Sequence, residues 1–206
     1  KGSKDAEMIQ FGHEEAHIRA VVERNGLDHQ IDMHLRQKKG KGIAVDRLPI
    51  RRAAELFGML NVVFFSPEDL NLIKRGPSSR RRFLDMELCQ LDKTYLYHLG
   101  NYNKSLAQRN ELLKNIRFQP ELKDTLPIWD MQFVHYGKEI IASRRKFLVQ
   151  LNEMIHGIHK GISGGKEELV LEYRPDVAED ALEEKLFRNQ ERDLKFGMTS
   201  VGPHRD

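Results

Sequence analysis

Two short stretches of the chain contain residue types that could do chemistry. The first is His13-Glu14-Glu15-Ala16-His17, which matches H-E-x-x-H, the pattern in which two imidazoles one helical turn apart bind a zinc ion. His17, however, opens a stretch in which apolar residues alternate as in a strand, and an extended chain would separate the two histidines by about 13 Å. The sequence therefore argues against a metalloprotease, and we predict no metal site and no catalytic residue.

The second stretch is Ile162-Ser163-Gly164-Gly165-Lys166, which is similar to the signature loop of ATP-binding-cassette proteins. In that loop a serine and backbone N–H groups at a helix N-terminus bind a phosphate. Here a strand pattern follows instead of a helix, so we interpret the stretch as a loop that leads back to a sheet. The Walker A pattern G-x-x-x-x-G-K-[ST] does not occur, and no predicted buried strand ends in an Asp-Glu pair suited to Mg²⁺. The chain by itself therefore carries no complete phosphoryl-transfer site.

The composition limits what the protein can bind. With 34 basic and 31 acidic residues the net charge is +3, so a nucleic-acid surface would have to be a local patch. Basic residues cluster in two places, at 36–52 and at 74–82. Each of them is compatible with a phosphate contact and equally with a solvated loop or helix face.

The cysteine count and the hydropathy pattern are typical of a cytoplasmic protein. Cys89 is the only cysteine and cannot form a disulfide within the chain. No apolar run is long enough for a transmembrane helix or a signal sequence. We therefore expect a cytoplasmic protein with no membrane partner, and because the chain does not begin with Met we treat it as a possible fragment.

The N-terminal part is predicted to form a mixed α/β layer. Apolar residues alternate over 17–36 on either side of Asn25-Gly26, a dipeptide that favours a tight hairpin turn. A short strand at 43–45 follows, then a helix from about Ile50 to Gly58. The apolar run at 60–65 then suits a strand buried on both faces.

Two long amphipathic helices come next. Apolar or aromatic residues recur in steps of three and four from Pro77 to about Arg117 and again over 129–158, with Arg144 on the apolar seam of the second helix. A proline-bounded loop joins the two helices. We therefore predict that they fold back on each other as an antiparallel coiled-coil hairpin.

The last part returns to a pattern with strands. We predict a strand at 169–173, a charged helix over 177–196 and, at 198–206, a strand that runs into a Gly-Pro turn. The fold class is therefore α+β, with antiparallel or mixed strands interrupted by a long helical arm. The predicted domains are 1–67, 68–165 and 166–206.

The stretch from Ser66 to Leu70 is a well-specified helix start. Ser66 has the chemistry of an N-cap, Pro67 fits the first helical position, and Glu68 and Asp69 suit the positive end of the helix dipole. The dipeptide Gly76-Pro77 then ends this short helix and begins the first long one.

Three consecutive arginines, Arg80, Arg81 and Arg82, lie in the first turns of that long helix. The helix dipole disfavours cations there by a few tenths of a kcal/mol each. Either the carboxylates of Glu68 and Asp69 or the phosphates of a bound nucleic acid could offset this cost. The sequence leaves both interpretations open.

Taken in order, these stretches resemble the RecF family of bacterial DNA replication and repair proteins, which is related to the SMC and Rad50 ATPases. The resemblance extends over nearly the whole chain and is most specific in the blocks from Ser66 to Asp85 and from Gly202 to Asp206. The matching stretches are 4–12, 62–85, 95–114, 139–152 and 193–206.

The resemblance implies part of an ATP-binding-cassette head with an inserted helical arm, lacking the Walker A, signature and Walker B motifs. A complete member would bind ATP and Mg²⁺, dimerise around ATP and act as a weak DNA-dependent ATPase. It would bind single-stranded and duplex DNA at gaps and junctions. With RecR and RecO it would load RecA in recombinational repair and in the SOS response to DNA damage. For this chain alone we expect no bound cofactor and no ATP hydrolysis.

The resemblance also implies roles for particular residues. The position of the Q-loop, which senses the nucleotide in the related ATPases, falls on Ser66, Pro67, Glu68 and Asp69, although this sequence has no glutamine there. The nucleotide-proximal candidates are Lys4, Asp5, His204, Arg205 and Asp206. The DNA-binding candidates are Lys38, Lys39, Lys41, Arg80, Arg81 and Arg82.

Two other functions are compatible with the sequence. The helical hairpin could belong to a non-enzymatic coiled-coil module that binds a protein partner, with its arginines only ion-paired. The chain could also be the head and arm of another SMC-like ATPase.

Overall fold

A computed structural model of the chain describes residues 4–206. The chain divides into two compact units; the first ends at Phe64 and the second is Phe65–Asp206.

The first unit contains a four-stranded antiparallel sheet in the order β1-β2-β3-β4. The strands are β1 (Glu15–Arg24), β2 (Leu27–Arg36), β3 (Gly42–Val45) and β4 (Leu48–Ile50). Asn25 and Gly26 form the hairpin turn with φ of 53° and 74°, the left-handed conformation that such a turn requires. The predicted hairpin and the predicted strand at 43–45 are thus confirmed.

Two other predictions for the first unit are wrong. The helix expected from Ile50 to Gly58 is only the 3₁₀ turn Ala53–Leu56, since Ile50 belongs to β4 and Gly58, with φ of 78°, ends the turn. So short a segment gains too few hydrogen bonds to offset helix nucleation. The run 60–65 forms no strand, and Val63 is 95% exposed. Among the described residues no strand pairs with this run, and an unpaired segment cannot form a sheet ladder.

The second unit is built on helices. They are α1 (Asn71–Lys74), α2 (Pro77–Leu91), α3 (Lys93–Asn115), α4 (Leu126–Ser163), α5 (Leu182–Arg188) and α6 (Gln190–Phe196). Further 3₁₀ turns lie at Asp5–Met8 in the first unit and at Pro67–Leu70 and Pro120–Thr125 in the second.

The predicted helical hairpin is confirmed by the packing of α3 on α4. Arg109 contacts Asp130 and Tyr102 contacts Phe133, so the helices run in opposite directions. The first predicted long helix is interrupted once, at Asp92, whose extended backbone ends α2. The carboxylate of Asp92 then accepts a hydrogen bond from the Thr94 N–H at 2.7 Å and caps α3.

The segments after α4 differ from the predicted strands. Residues 169–173 are extended but unpaired with any strand in the described part of the chain; instead the Asn152 side chain donates to the Leu171 carbonyl at 2.6 Å and accepts from its N–H at 2.8 Å. The predicted helix 177–196 is two helices, α5 and α6, separated at Asn189. Residues 198–206 form turns rather than a strand.

One hydrophobic cluster of the second unit lies where α3 and α4 meet the turn that joins them. Leu112, Leu113, Ile116 and Leu126 are buried there, and Trp129 packs against them. Within the described residues, no helix is both long and apolar enough to cross a membrane.

Cys89 of α2 is buried, and this predicts low reactivity. Burial raises the pKa of its thiol to about 11, and the nearby charge of Asp85 adds to the effect. At pH 8 the native thiolate fraction is then on the order of 200-fold below that of a free cysteine. We expect the native protein to react with iodoacetamide at least tenfold more slowly than the urea-unfolded chain, by mass spectrometry. Equal rates would show that Cys89 is accessible.

Candidate functional site

The Q-loop position, Ser66–Asp69, which we call the hinge, is a capped turn at the start of the second unit. Ser66 has an extended backbone and precedes the 3₁₀ turn Pro67–Leu70. Its main-chain N–H donates to Asp69 Oδ2 at 2.8 Å, and its hydroxyl lies 3.4 Å from the same oxygen. These bonds form a capping box, and the prediction of Pro67 in the first position of the turn is confirmed.

The hinge also contains a second acid. The pKa of the exposed Glu68 is lowered because its carboxylate accepts a hydrogen bond from the Ser66 hydroxyl. A lowered pKa means that this interaction stabilises the turn above the usual pKa of glutamate and is lost as the pH falls through the lowered value. Ser66 therefore serves two carboxylates, those of Glu68 and Asp69.

The three consecutive arginines lie in three different environments. Arg80 Nη1 donates to the carbonyls of Leu72 at 3.3 Å and Arg75 at 2.9 Å, where α1 ends. A cation at the C-terminal end of a helix is favoured by its dipole. Arg81 donates to the main-chain oxygen of Asp206. Arg82 is exposed and forms no hydrogen bond or ion pair within residues 4–206.

Arg144 of α4 is buried and joins several segments of the second unit. Its Nη1 donates to Asp206 Oδ2 and to the Pro203 carbonyl, each at 2.8 Å. Its Nη2 donates to Asp85 Oδ1 at 2.8 Å, and its Nε lies 3.2 Å from the Tyr95 hydroxyl. The side chains of Arg144 and Asp206 are 3% and 4% exposed, so their ion pair is shielded from solvent.

Asp206 has further partners, so its carboxylate is fully engaged. Tyr173 donates its hydroxyl to Asp206 Oδ2 at 2.5 Å, and the Asp176 N–H donates to Oδ1 at 3.0 Å. Burial raises the pKa of Tyr173 and of Tyr95, so both remain hydroxyl donors in this junction at neutral pH. We call Asp85, Tyr95, Arg144, Tyr173 and Asp206 the arginine junction.

The segment from Gly202 to His204 packs against the helical hairpin. The His204 ring nitrogen Nδ1 lies 2.7 Å from the Tyr102 hydroxyl, and burial lowers the pKa of His204. A Cβ on Gly202 would lie 2.8 Å from Phe133 Cζ, and φ at Gly202 is 122°. Because the backbone approaches the helices so closely and φ is positive, only glycine fits at this position. Of the three nucleotide-proximal candidates at 204–206, only Arg205 is exposed.

A second buried arginine, Arg109 of α3, bonds to α6 and to the residues that follow it. Arg109 is fully buried; its Nε donates to Asp130 Oδ1 at 2.6 Å and its Nη1 to Asp193 Oδ2 at 2.8 Å. The same Nη1 donates to Thr199 Oγ1 at 2.8 Å. The hairpin therefore holds this part of the chain through charge-assisted hydrogen bonds.

The candidates in the first unit lie at its surface. Lys38 and Lys39 are exposed and have no hydrogen-bond or ion-pair partner among residues 4–206. Lys41 Nζ lies 3.1 Å from Asp5 Oδ2, and both side chains are partly exposed. The Lys4 main-chain N–H donates to Glu7. A DNA-binding candidate, Lys41, is thus paired with a nucleotide-proximal candidate, Asp5.

The stretches 13–17 and 162–166 have structural rather than catalytic surroundings. His17 lies within β1, as expected, with Nε2 3.3 Å from Asp32 Oδ1. No group of three or more His, Cys, Asp or Glu that could hold a metal ion occurs in the part of the chain described. Gly164, with φ of 61°, caps the C-terminal end of α4, so this glycine pair is not at a helix N-terminus and lacks the phosphate-binding geometry.

The sequence prediction missed both buried arginine clusters. Arg144 was visible as a charge on the apolar seam of α4, which is a signal for a buried ion pair, but its partners Asp85 and Asp206 lie 59 and 62 residues away. Arg109 gave the same signal within the apolar stripe of α3. A single sequence shows that such an arginine needs partners and does not show which.

No family model matches the chain. It is 57% identical to the DNA replication and repair protein RecF of Agathobacter rectalis and 56% identical to that of Lachnoclostridium phytofermentans, covering 100% of this chain and 57% of each relative. It is 41% identical to RecF of Clostridium perfringens, over 99% of this chain and 57% of that protein. The chain therefore spans somewhat more than half the length of these relatives.

The fold is also similar to that of solved RecF structures. A structure described as the recombination mediator protein RecF-ATPrS in the RecFOR pathway superposes with a TM-score of 0.87 at 33% identity, over 99% of this chain and 57% of that one. One described as RecF-ATP in the RecFOR pathway gives 0.86 at 32% identity over the same shares. The predicted fold class, an α+β partial ATPase head interrupted by a helical hairpin, is confirmed. By sequence and by fold, the chain belongs to the RecF family as a segment of such a protein.

Proposed function

We propose that this chain is part of a RecF-type protein that binds ATP and DNA and acts in DNA replication and recombinational repair. The observation that carries the proposal is the match of the whole chain to RecF proteins, at 57% identity to that of Agathobacter rectalis. The likeness to RecF structures described with ATP or ATPrS supports the nucleotide.

The partners follow from the same family membership. The complete protein would act in the cytoplasm, dimerise in the presence of ATP, and work with RecR and RecO to load RecA onto gapped DNA after damage. The description of the structural neighbours as members of the RecFOR pathway supports this assignment.

We infer that the nucleotide site of the complete protein needs residues other than those described. They contain no cluster of His, Cys, Asp or Glu suited to a metal ion, and the sequence has no glycine-rich phosphate loop. ATP and Mg²⁺ would thus be held mainly by residues outside this chain. Of the proximal candidates at 204–206, Arg205 is the most available to a nucleotide because His204 and Asp206 are engaged within the second unit.

We assign DNA contact to the DNA-binding candidates that have no hydrogen-bond or ion-pair partner among residues 4–206. Lys38 and Lys39 are exposed in the loop after β2, and Arg82 is exposed on α2. Phosphate groups attract such side chains without competition from a neighbouring carboxylate. Arg80 and Arg81 instead hold main-chain oxygens of the second unit, and Lys41 pairs with Asp5.

The hinge gives a mechanism for nucleotide control. The turn Pro67–Leu70 leads into α1, and Arg80 of α2 holds the end of α1 by its carbonyls. A change at Ser66, Glu68 or Asp69 would therefore be passed to the root of the helical arm through a short rigid path. The proposed domains 68–165 and 166–206 would meet at the arginine junction.

The proposal predicts that ATP dimerises the complete protein. Sedimentation velocity without nucleotide should give a monomer, and addition of ATP should convert it to a dimer, while ADP serves as the matched control. A complete protein that does not bind ATP would exclude the ATPase assignment and favour a coiled-coil interaction module.

A further inference from the structure

Three large apolar side chains are exposed close to the C-terminal end of α3. Phe118 is 85% exposed, Phe196 60% and Met198 51%. Single exposed apolar residues are ordinary on protein surfaces, but a group of them in one place marks an interaction site. We define the α3-end patch as Lys114, Arg117, Phe118, Lys195, Phe196 and Met198.

Hydrogen bonds and close packing bring together the segments that carry these residues. Arg117, next to Phe118, donates to the carbonyls of Leu194 and Lys195 at the end of α6. A Cβ on Gly197 would lie 3.1 Å from Lys114 Cγ, so the end of α6 passes directly over the last turn of α3.

The chain after α6 is held to α3 in the same way. The Thr199 N–H donates to Asn110 Oδ1 at 2.7 Å, one turn before Lys114. Met198, the residue before Thr199, is therefore fixed beside the same turn of α3. The patch is thus built on ordered elements rather than on a loose loop.

Exposed cations lie on the same segments as these apolar side chains. Lys114, Arg117 and Lys195 are all exposed, and Lys195 Nζ lies 5.8 Å from the centre of the Phe196 ring.

Some of the acids nearby in sequence are already engaged. Asp193 is buried and bonded to Arg109, and Glu191 pairs with Lys123 at 3.4 Å. Glu111, one turn before Lys114, and Glu121, three residues after Phe118, are exposed, and neither forms an ion pair among the described residues. A surface that combines exposed apolar and basic side chains is complementary to a ligand with apolar and acidic side chains.

We propose that the α3-end patch binds an acidic peptide segment of a partner protein that carries aromatic or large aliphatic side chains. The apolar side chains of the segment pack on Phe118, Phe196 and Met198, and its carboxylates lie against Lys114 and Lys195. Nucleic acid fits this surface less well, because phosphates gain nothing from the exposed apolar side chains. This site is independent of the nucleotide and DNA sites proposed above.

The test is a binding titration with the complete protein. The probe is a fluorescein-labelled peptide containing Asp, Glu, Leu and Phe, followed by fluorescence anisotropy. Two control peptides carry Lys in place of the acids or Ala in place of Leu and Phe. We expect the first peptide to bind at least about tenfold more tightly than either control, and more weakly as salt is added.

Variants locate the binding site. Phe118→Ser and Phe196→Ser should each weaken binding of the acidic peptide by about tenfold or more, and Lys114→Glu with Lys195→Glu should do the same. Phe187→Ser is the matched control, since Phe187 is 74% exposed on α5 and outside the patch. Because all these side chains are exposed, the variants should unfold at the same temperature as the parent.

Several results would overturn the proposal. One is equal binding of the acidic and basic peptides, and another is binding that the patch variants leave unchanged. Loss of self-association in Phe118→Ser without any peptide binding would assign the patch to a second copy of the chain. Competition by a short DNA duplex but not by unlabelled acidic peptide would assign it to nucleic acid.

Discussion

Replacement of Arg144 by methionine is expected to lower the free energy of unfolding by about 3–5 kcal/mol. The substitution preserves the apolar stem of the side chain and removes its charge. Asp206, which is 4% exposed, and Asp85, which is 24% exposed, would then lose their cation, and the Pro203 carbonyl would lose a donor. Leaving buried charges uncompensated is far more costly than losing an exposed ion pair.

Arg145 provides a control in the adjacent position of the same helix. Its side chain is 47% exposed and pairs with Glu179 at 3.0 Å. Arg145→Met should cost about 0–1 kcal/mol, as exposed pairs do. Urea unfolding of the complete protein and the two variants measures the difference. Similar losses for Arg144→Met and Arg145→Met would contradict the role of the arginine junction.

Charge reversal at Lys38, Lys39 and Arg82 should weaken DNA binding by at least about tenfold and reduce its salt dependence. Each phosphate contact contributes about 0.9 to the slope of log K against log salt, so loss of three contacts should lower that slope by about 2.7. The expected effect is independent of DNA sequence because phosphates carry none of the sequence information.

The controls for this experiment use cations in other environments. Lys146 is exposed on α4 in the same way as the three candidates, and Lys146→Glu should leave both affinity and slope unchanged. Lys41→Ala should have a smaller effect than Lys38→Ala, because Lys41 already pairs with Asp5. Unchanged affinity and slope in the triple variant, measured on gapped DNA by anisotropy between low and high salt, would show that DNA binds elsewhere.

Features with local causes were predictable from the sequence. The β1–β2 hairpin depends on alternation and on Asn25-Gly26, and the hinge depends on a capping box within four residues. The helical hairpin follows from apolar spacing and a proline-bounded loop. In each case the residues that cause the structure lie within the element or beside it.

Features that depend on distant partners were not predictable. The runs 60–65 and 169–173 have strand composition, yet neither pairs with a strand in the described part of the chain, and composition cannot supply hydrogen-bond partners. The environments of Arg80 and Arg81 were also missed. Their acceptors are main-chain oxygens of Leu72, Arg75 and Asp206, which no pattern of side chains reveals.

We propose that ATP in the complete protein acts on the arm through the hinge at Ser66–Asp69. Hydrogen exchange of the complete protein with and without ATP, followed in peptides from 66–75 and 77–91, tests this proposal. We expect ATP to slow exchange in both segments, while exchange in β1 and β2 changes little. Bound ATP with unchanged exchange across 66–91 would contradict the claim.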